Sequence, residues 1–177
     1  GFGLQKVFNN FICGLIILFE RNIKVGDYVE IEPGNVGRVS DITIQNTLIH
    51  TFDGLDTIVP NAEIIGNKVV NLTLSDPFRR IHIPFYVSYG SDKEVVRTVG
   101  MEVAHKLPYT LKVPPHEPQV WLVNFGESSL DFELVIWVNA YFSPQRQTIM
   151  SACLWEIDTA LKKYNITIPF PQRDLHI

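Results

Sequence analysis

Residues 1–21 read GFGLQKVFNNFICGLIILFER. Leu4, Val7, Phe8, Phe11, Ile12, Leu15, Ile16, Leu18 and Phe19 recur at the three-and-four spacing that lines one side of an α-helix. Gln5, Lys6, Asn9, Asn10, Cys13 and Gly14 fill the other side, polar first and small later. Glu20, Arg21, Asn22 and Lys24 close the segment with charge and polarity. About 18 residues of helix reach roughly 27 Å, and the mostly apolar run from Phe11 to Phe19 is about half of that. A membrane-spanning helix needs about 20 mostly apolar residues, so the segment falls short of a full span on hydropathy. Two readings stay open. The helix could bury its apolar stripe on the sheet of a soluble domain. It could equally sit at a membrane edge, or in a bundle whose polar face lines water. An opening on Gly1-Phe2-Gly3-Leu4, without Met or a signal-peptide pattern, reads as a piece cut inside a longer apolar region.

Composition narrows the classes. At 177 residues the chain has room for one or two small domains. Hydrophobic residues at 46% and charged residues at 19% favour a core-forming chain over a disordered one. A net charge of −4, with no basic run beyond Arg79-Arg80, gives no electrostatic reason to expect a nucleic-acid partner. Cys13 and Cys153 are far apart and form no CxxC pair, which fits buried free thiols in a reducing compartment.

Downstream of Lys24 the pattern turns to short strands. Tyr28 to Ile31 follows the turn at Val25-Gly26-Asp27, and Pro33-Gly34-Asn35 is a turn cluster. Val36 to Ile49 is rich in β-branched residues and alternates well, with Val39, Ile42 and Ile44 against Ser40, Thr43 and Gln45. Asp53-Gly54 is a hairpin signal between residues 49–52 and 56–59. Asn61 is placed to cap a brief helical turn over residues 62–65, and residues 68–73 read as a further strand. Four or five such strands predict a small closed or nearly closed β-barrel.

Ser75-Asp76-Pro77 reads as a boundary. Beyond it the expected order is a strand at 79–89, a helix at 95–107 capped by Ser91 with Glu94, and a proline-rich loop at 108–118. A strand at 119–125, a strand at 130–141, a helix opened by Ser143-Pro144 and running to Tyr164, and a last strand at 165–168 follow. That order is the ferredoxin-like βαββαβ unit. The tail, residues 169–177, carries two prolines and is excluded from a central sheet position. The fold class is thus α+β. Its expected parts are a helix over residues 1–22, a small β-barrel over 23–76, a ferredoxin-like unit over 77–168 and a tail over 169–177.

A search for chemistry finds little. The five histidines have no metal-ligand spacing, and no GxSxG, HExxH or GxxxxGK[ST] occurs, so no catalytic residue, metal or cofactor is expected. His82 alternates with Ile81 and Ile83 and reads as an exposed or paired side chain. The pairs Phe85/Tyr89 and Trp121/Phe125 read as core rather than as a base-stacking platform. Asn71-Leu72-Thr73 and Asn165-Ile166-Thr167 are formal glycosylation sequences with no secretory context.

The run GFGLQKVFNNFICGLIILFERNIKVGDYVEI resembles the pore-helix signature of the MscS family of mechanosensitive channels, in the form of its large MscK-like branch. Gly37-Arg38-Val39, Ile58-Val59-Pro60-Asn61, Tyr89-Gly90-Ser91-Asp92 and Pro169-Phe170-Pro171-Gln172 follow in family order. The resemblance implies a homoheptamer in the inner membrane, multi-pass, with each copy giving one pore-lining helix. Residues from about 22 onward would face the cytoplasm as an Sm-like β-barrel, a ferredoxin-like domain and a tail strand that closes an oligomeric barrel. Phe2 falls where relatives place an apolar gate, and Gln5, Lys6, Asn9 and Asn10 fall on pore-lining positions. Gly3, Lys6 and Gly14 are the candidates for the bend or for helix packing. Lys6 stands where small relatives often have Gly, and a ring of it would disfavour cations. The implied partners are other copies of the chain, the lipid bilayer, and permeating ions and small solutes. Opening by membrane tension during hypo-osmotic stress would be the function, with no enzymatic step. A soluble two-domain oligomeric scaffold without transport is the alternative.

Overall fold

The computed structural model describes residues 1–143 and 145–177. They divide into two units, Gly1–Pro77 and Phe78–Ile177.

The first unit opens with α1 (Phe2–Glu20). It ends where Arg21 takes the left-handed conformation, φ 57°, with its N–H on the carbonyl of Ile17. Five strands follow: β1 (Tyr28–Glu32), β2 (Asn35–Ile42), β3 (Asn46–Thr51), β4 (Asp56–Pro60) and, after the short helix α2 (Asn61–Gly66), β5 (Val70–Asn71). They pair antiparallel in the order β4-β3-β2-β1-β5, with register shifts between Glu30 and Glu32 and between Val39 and Asp41. Such bulges increase local bend and twist, which suits a barrel-like sheet. No β4–β5 pairing closes it among the described residues. Ile17, Ile23, Val29, Val39, Ile49, Val59 and Ile64 form one core, so the last turn of α1 is built into the sheet unit.

Two local expectations need correction here. The run from Val36 to Ile49, read as alternating throughout, is broken between two strands. Thr43-Ile44-Gln45 turns the chain, with Thr43 and Asn46 bonded across it and Ile44 68% exposed. Its alternation is real, but alternation does not reveal a tight turn that lacks Gly and Pro. The strand expected at 68–73 is reduced to the pair Val70–Asn71.

The second unit contains β6 (Phe78–Val87), α3 (Lys93–Lys106), β7 (Gln119–Phe125), β8 (Leu130–Asn139) and α4 (Arg146–Lys163). The strands pair antiparallel in the order β6-β8-β7. Alternate residues Ile81, Ile83, Phe85 and Val87 of β6, and Phe132, Leu134, Ile136 and Val138 of β8, face Val96, Val99 and Val103 of α3 and Ile149, Cys153, Ile157 and Leu161 of α4. Both helices therefore cover one face of the sheet, as the strand and helix order requires.

Here too details differ. Asp92, not Ser91, caps α3, accepting from the N–H of Glu94, while the Ser91 hydroxyl donates to the carbonyl of Ser88. The second helix starts at Arg146 rather than at Ser143-Pro144, and Pro144 lies outside the described residues. The strand expected at 165–168 is not formed. Asn165 has φ 57°, and only the carbonyl of Thr167 reaches Ser88, accepting from its N–H and hydroxyl just past the end of β6. A left-handed residue at one end and Pro169 at the other leave too little extended chain for a ladder. Of the aromatic pairs expected in the core, only Phe85 is buried. Tyr89 and Phe125 are exposed, and Trp121 is half-buried on the face the helices leave open. There Arg80 lies over the rings of Trp121 and Trp137, and His82 pairs with Glu133. Residues 169–177 carry no regular structure in the single chain.

Candidate functional site

The candidate residues sit on α1, and its orientation reverses the soluble-domain expectation. Its buried residues are Cys13, Gly14 and Ile17, the small side of the helix, with Asn10 half-buried one turn before them. The apolar stripe points away from the sheet: Leu4, Phe8, Leu15, Leu18 and Phe19 are 73%, 64%, 50%, 54% and 90% exposed. By length and composition α1 is able to cross a membrane, a longer reach than hydropathy along the sequence suggested, and only 17% of its apolar window is buried. The first apolar helix of a soluble core would be mostly buried; this one is not.

Close approach explains which face docks. A Cβ on Gly14 would lie 2.6 Å from the Asn61 side-chain nitrogen and 2.8 Å from the carbonyl oxygen of Ile44. Gly14 therefore lets α1 sit directly on the β2–β3 turn and the start of α2. The helix runs unbroken through Lys6 and Gly14, so the glycine acts here as a contact point. Gly3, by contrast, has open space where its Cβ would be.

Asn61 is the fixed part of this contact. It is fully buried, and its side chain accepts from the Thr47 hydroxyl at 2.9 Å and donates to the carbonyls of Thr43 and Ile44 at 3.1 and 3.3 Å. It therefore does not cap α2 as its position suggested. That role falls to Asn10, whose Oδ1 accepts from the N–H of Ala62 at 2.8 Å. A helix start leaves its first N–H groups unpaired, and an Asn oxygen is a preferred acceptor. The cap here comes from 52 residues away, which no local pattern could reveal.

The remaining candidates lie ahead of the docked turn. Phe2 is 86% exposed, and Gln5, Lys6 and Asn9 are also exposed. The Cys13 thiol donates to the Asn9 side-chain Oδ1 at 3.8 Å. One polar side of α1 thus divides in two: Asn10, Cys13 and Gly14 face the chain's own sheet unit, while Phe2, Gln5, Lys6 and Asn9 face outward.

A second fixing point holds the exit from α1. Asp27 is fully buried and accepts from the Lys24 N–H and Nζ, the Asn71 amide and the Thr73 hydroxyl, at 3.1, 2.9, 2.9 and 2.9 Å. The same Asn71 amide donates to the carbonyl of Asn22 at 2.8 Å. Burial pushes the Asp27 carboxyl up, but the hydrogen bonds from Asn71, Lys24 and Thr73 outweigh it and hold the group below its ordinary value. Asn71 and Thr73, noted in sequence only as a glycosylation pattern, thus tie β5 to the segment that follows α1. Elsewhere burial pushes the Cys153 thiol up to about 12, which keeps it protonated and unreactive. No group of three or more His, Cys, Asp or Glu is placed to hold a metal among the described residues.

Residues 6–74 match the family model for the mechanosensitive ion channel beta-domain, and residues 81–168 match that for the mechanosensitive ion channel MscS C-terminal domain. The chain is similar to the mechanosensitive channel MscK of Escherichia coli, at 38% identity over 177 residues, all of this chain and 15% of that protein. It is also similar to the miniconductance mechanosensitive channel MscM of Escherichia coli, at 33% identity over 97% of this chain and 15% of that protein. The chain therefore spans about 15% of the length of these relatives. Among solved structures it resembles the crystal structure of Helicobacter pylori MscS in a closed state, with a TM-score of 0.83 and 27% identity, covering 99% of this chain and 67% of that one.

Proposed function

The chain belongs to the MscS family of mechanosensitive ion channels, and we propose that it forms the lower pore helix and cytoplasmic part of a channel opened by membrane tension. The observation that carries this reading is the reversed orientation of α1. Its apolar stripe is free for lipid or neighbouring helices, while its small side is clamped to the sheet unit through Gly14, Asn61 and Asn10. A helix held in this way can pass a displacement in the membrane to the domain below it.

The mechanism is mechanical. Tension does work on whichever state occupies more membrane area, so it shifts the closed–open equilibrium by that difference. α1 copies packed around an axis would bring the exposed end of the helix, with Phe2, Gln5, Lys6 and Asn9, to a shared path. A ring of Phe2 would make a narrow apolar constriction that dewets and so blocks ions until it widens. In this reading the assembly is a homoheptamer in the inner membrane, multi-pass, with residues from about 22 onward in the cytoplasm. The tail 169–177, which pairs with no strand among the described residues, would pair with its equivalents from the other copies. Ions and small solutes would leave through the open pore under hypo-osmotic stress.

Patch-clamp recording of the full-length protein under suction tests the proposal. Pressure-activated conductance below lytic tension is expected. Its absence up to the tension that ruptures the patch would defeat the reading.

A further inference from the structure

Lys6 is the only charged side chain between Gly1 and Phe19. It is exposed, and no ion pair holds it among the described residues. An ammonium group on a membrane helix is costly unless it faces water or a partner, so its direction is informative. Helical spacing puts Lys6 one turn ahead of Asn10 and in line with Cys13 and Ile17. Those three face the sheet unit, on the side opposite the exposed apolar stripe. Lys6 is therefore turned away from the surface that would meet lipid. It also lies just beyond the part of that side covered by α2. Phe2 stands a further turn ahead of Lys6 on the same side.

We infer that Lys6 sets the charge preference of the conduction path: one ammonium from each copy forms a ring beside the Phe2 constriction that admits anions ahead of cations. This rests on the channel reading above. Charges around one narrow water-filled ring act together on each passing ion when the ion passes within the screening distance of about 8 Å at physiological salt. The preference should therefore weaken as ionic strength rises.

The test measures reversal potentials of pressure-activated currents across a KCl gradient, using the full-length protein. The unsubstituted channel is expected to favour chloride, and Lys6→Arg to keep that preference. Lys6→Glu should favour potassium, with the permeability ratio moving about fivefold or more in total. If Lys6→Glu yields no current, charge is installed after assembly. Lys6→Cys treated with a cationic thiosulfonate should regain chloride preference, and treated with an anionic one should lose it. The buried thiols of Cys13 and Cys153 make the unsubstituted channel a suitable blank. An unchanged reversal potential in Lys6→Glu, or in both treated Lys6→Cys channels, overturns the inference and leaves the channel reading standing. A lack of pressure-activated current from the unsubstituted protein removes that reading and the inference with it.

Discussion

At the scale of single residues, two glycines of one helix make opposite predictions. Gly14→Ala forces a methyl against the Ile44 carbonyl and the pinned Asn61 side chain, and should cost about 1–3 kcal/mol as overpacking. Gly3→Ala meets open space and should gain about 0.5–1 kcal/mol of helix propensity. Thermal melting of the two variants in detergent should move in opposite directions. Asn10→Ala should lose the cap on Ala62 and cost about 1 kcal/mol by the same measurement. Asp27 gives a pH prediction. Its carboxyl is depressed in the folded protein, so its stabilisation is complete above the ordinary value of 3.8 and drains away as pH falls through the lower folded value. The stability gap between the unsubstituted protein and Asp27→Asn should be about 2–3 kcal/mol near neutrality and should shrink only below about pH 4. A gap that closes already between pH 7 and 5 would refute this account. Of these residues, Gly14 and Asn10 stood out in sequence only through the family resemblance, Gly14 for a bend or helix packing and Asn10 as pore-lining, and the cap that Asn10 provides was not legible. Asn61 looked like a cap and Asp27 like a turn residue, because their partners lie far along the chain.

At the scale of elements, periodicity identified α1 but not the side it buries. An amphipathic pattern implies that two faces have different surroundings. It does not say whether the apolar surroundings are a protein core or lipid. The choice was made by Gly14 and Asn10, a small residue and a cap, which let the helix approach the β2–β3 turn and α2. Replacing Phe8 and Leu15 together by Gln should therefore leave the melting of the sheet unit nearly unchanged, since both side chains are exposed. It should lower the share of the protein recovered with membranes in detergent-free fractionation. Loss of folding in that variant would mean that the stripe packs within the chain. The missing strand at 165–168 has a similar lesson. Its β-branched residues carry strand propensity, yet the positive φ of Asn165 and the following Pro169 leave it one backbone hydrogen bond from the end of β6, donated by Ser88 to Thr167.

At the scale of the whole molecule, the free surfaces predict assembly. The tail contains Phe170, Leu175 and Ile177 at 80%, 83% and 123% exposure, and it has no sheet partner among the described residues. Deleting residues 169–177 should reduce the mass of the detergent-solubilised oligomer in light scattering while each unit keeps its helix and strand content. An oligomer of unchanged mass and stability would remove the tail from the interface. By itself the sequence determined most of the elements, their order and the family, because these follow from periodicity, turn chemistry and motifs read a few residues at a time. Only the tertiary structure decided which side of α1 is buried, what holds Asp27 and Asn61, and where Lys6 points. Those outcomes depend on contacts between residues tens of positions apart, where a single close approach, a carbonyl 2.8 Å from where the Cβ of Gly14 would be, selects one helix face over the other.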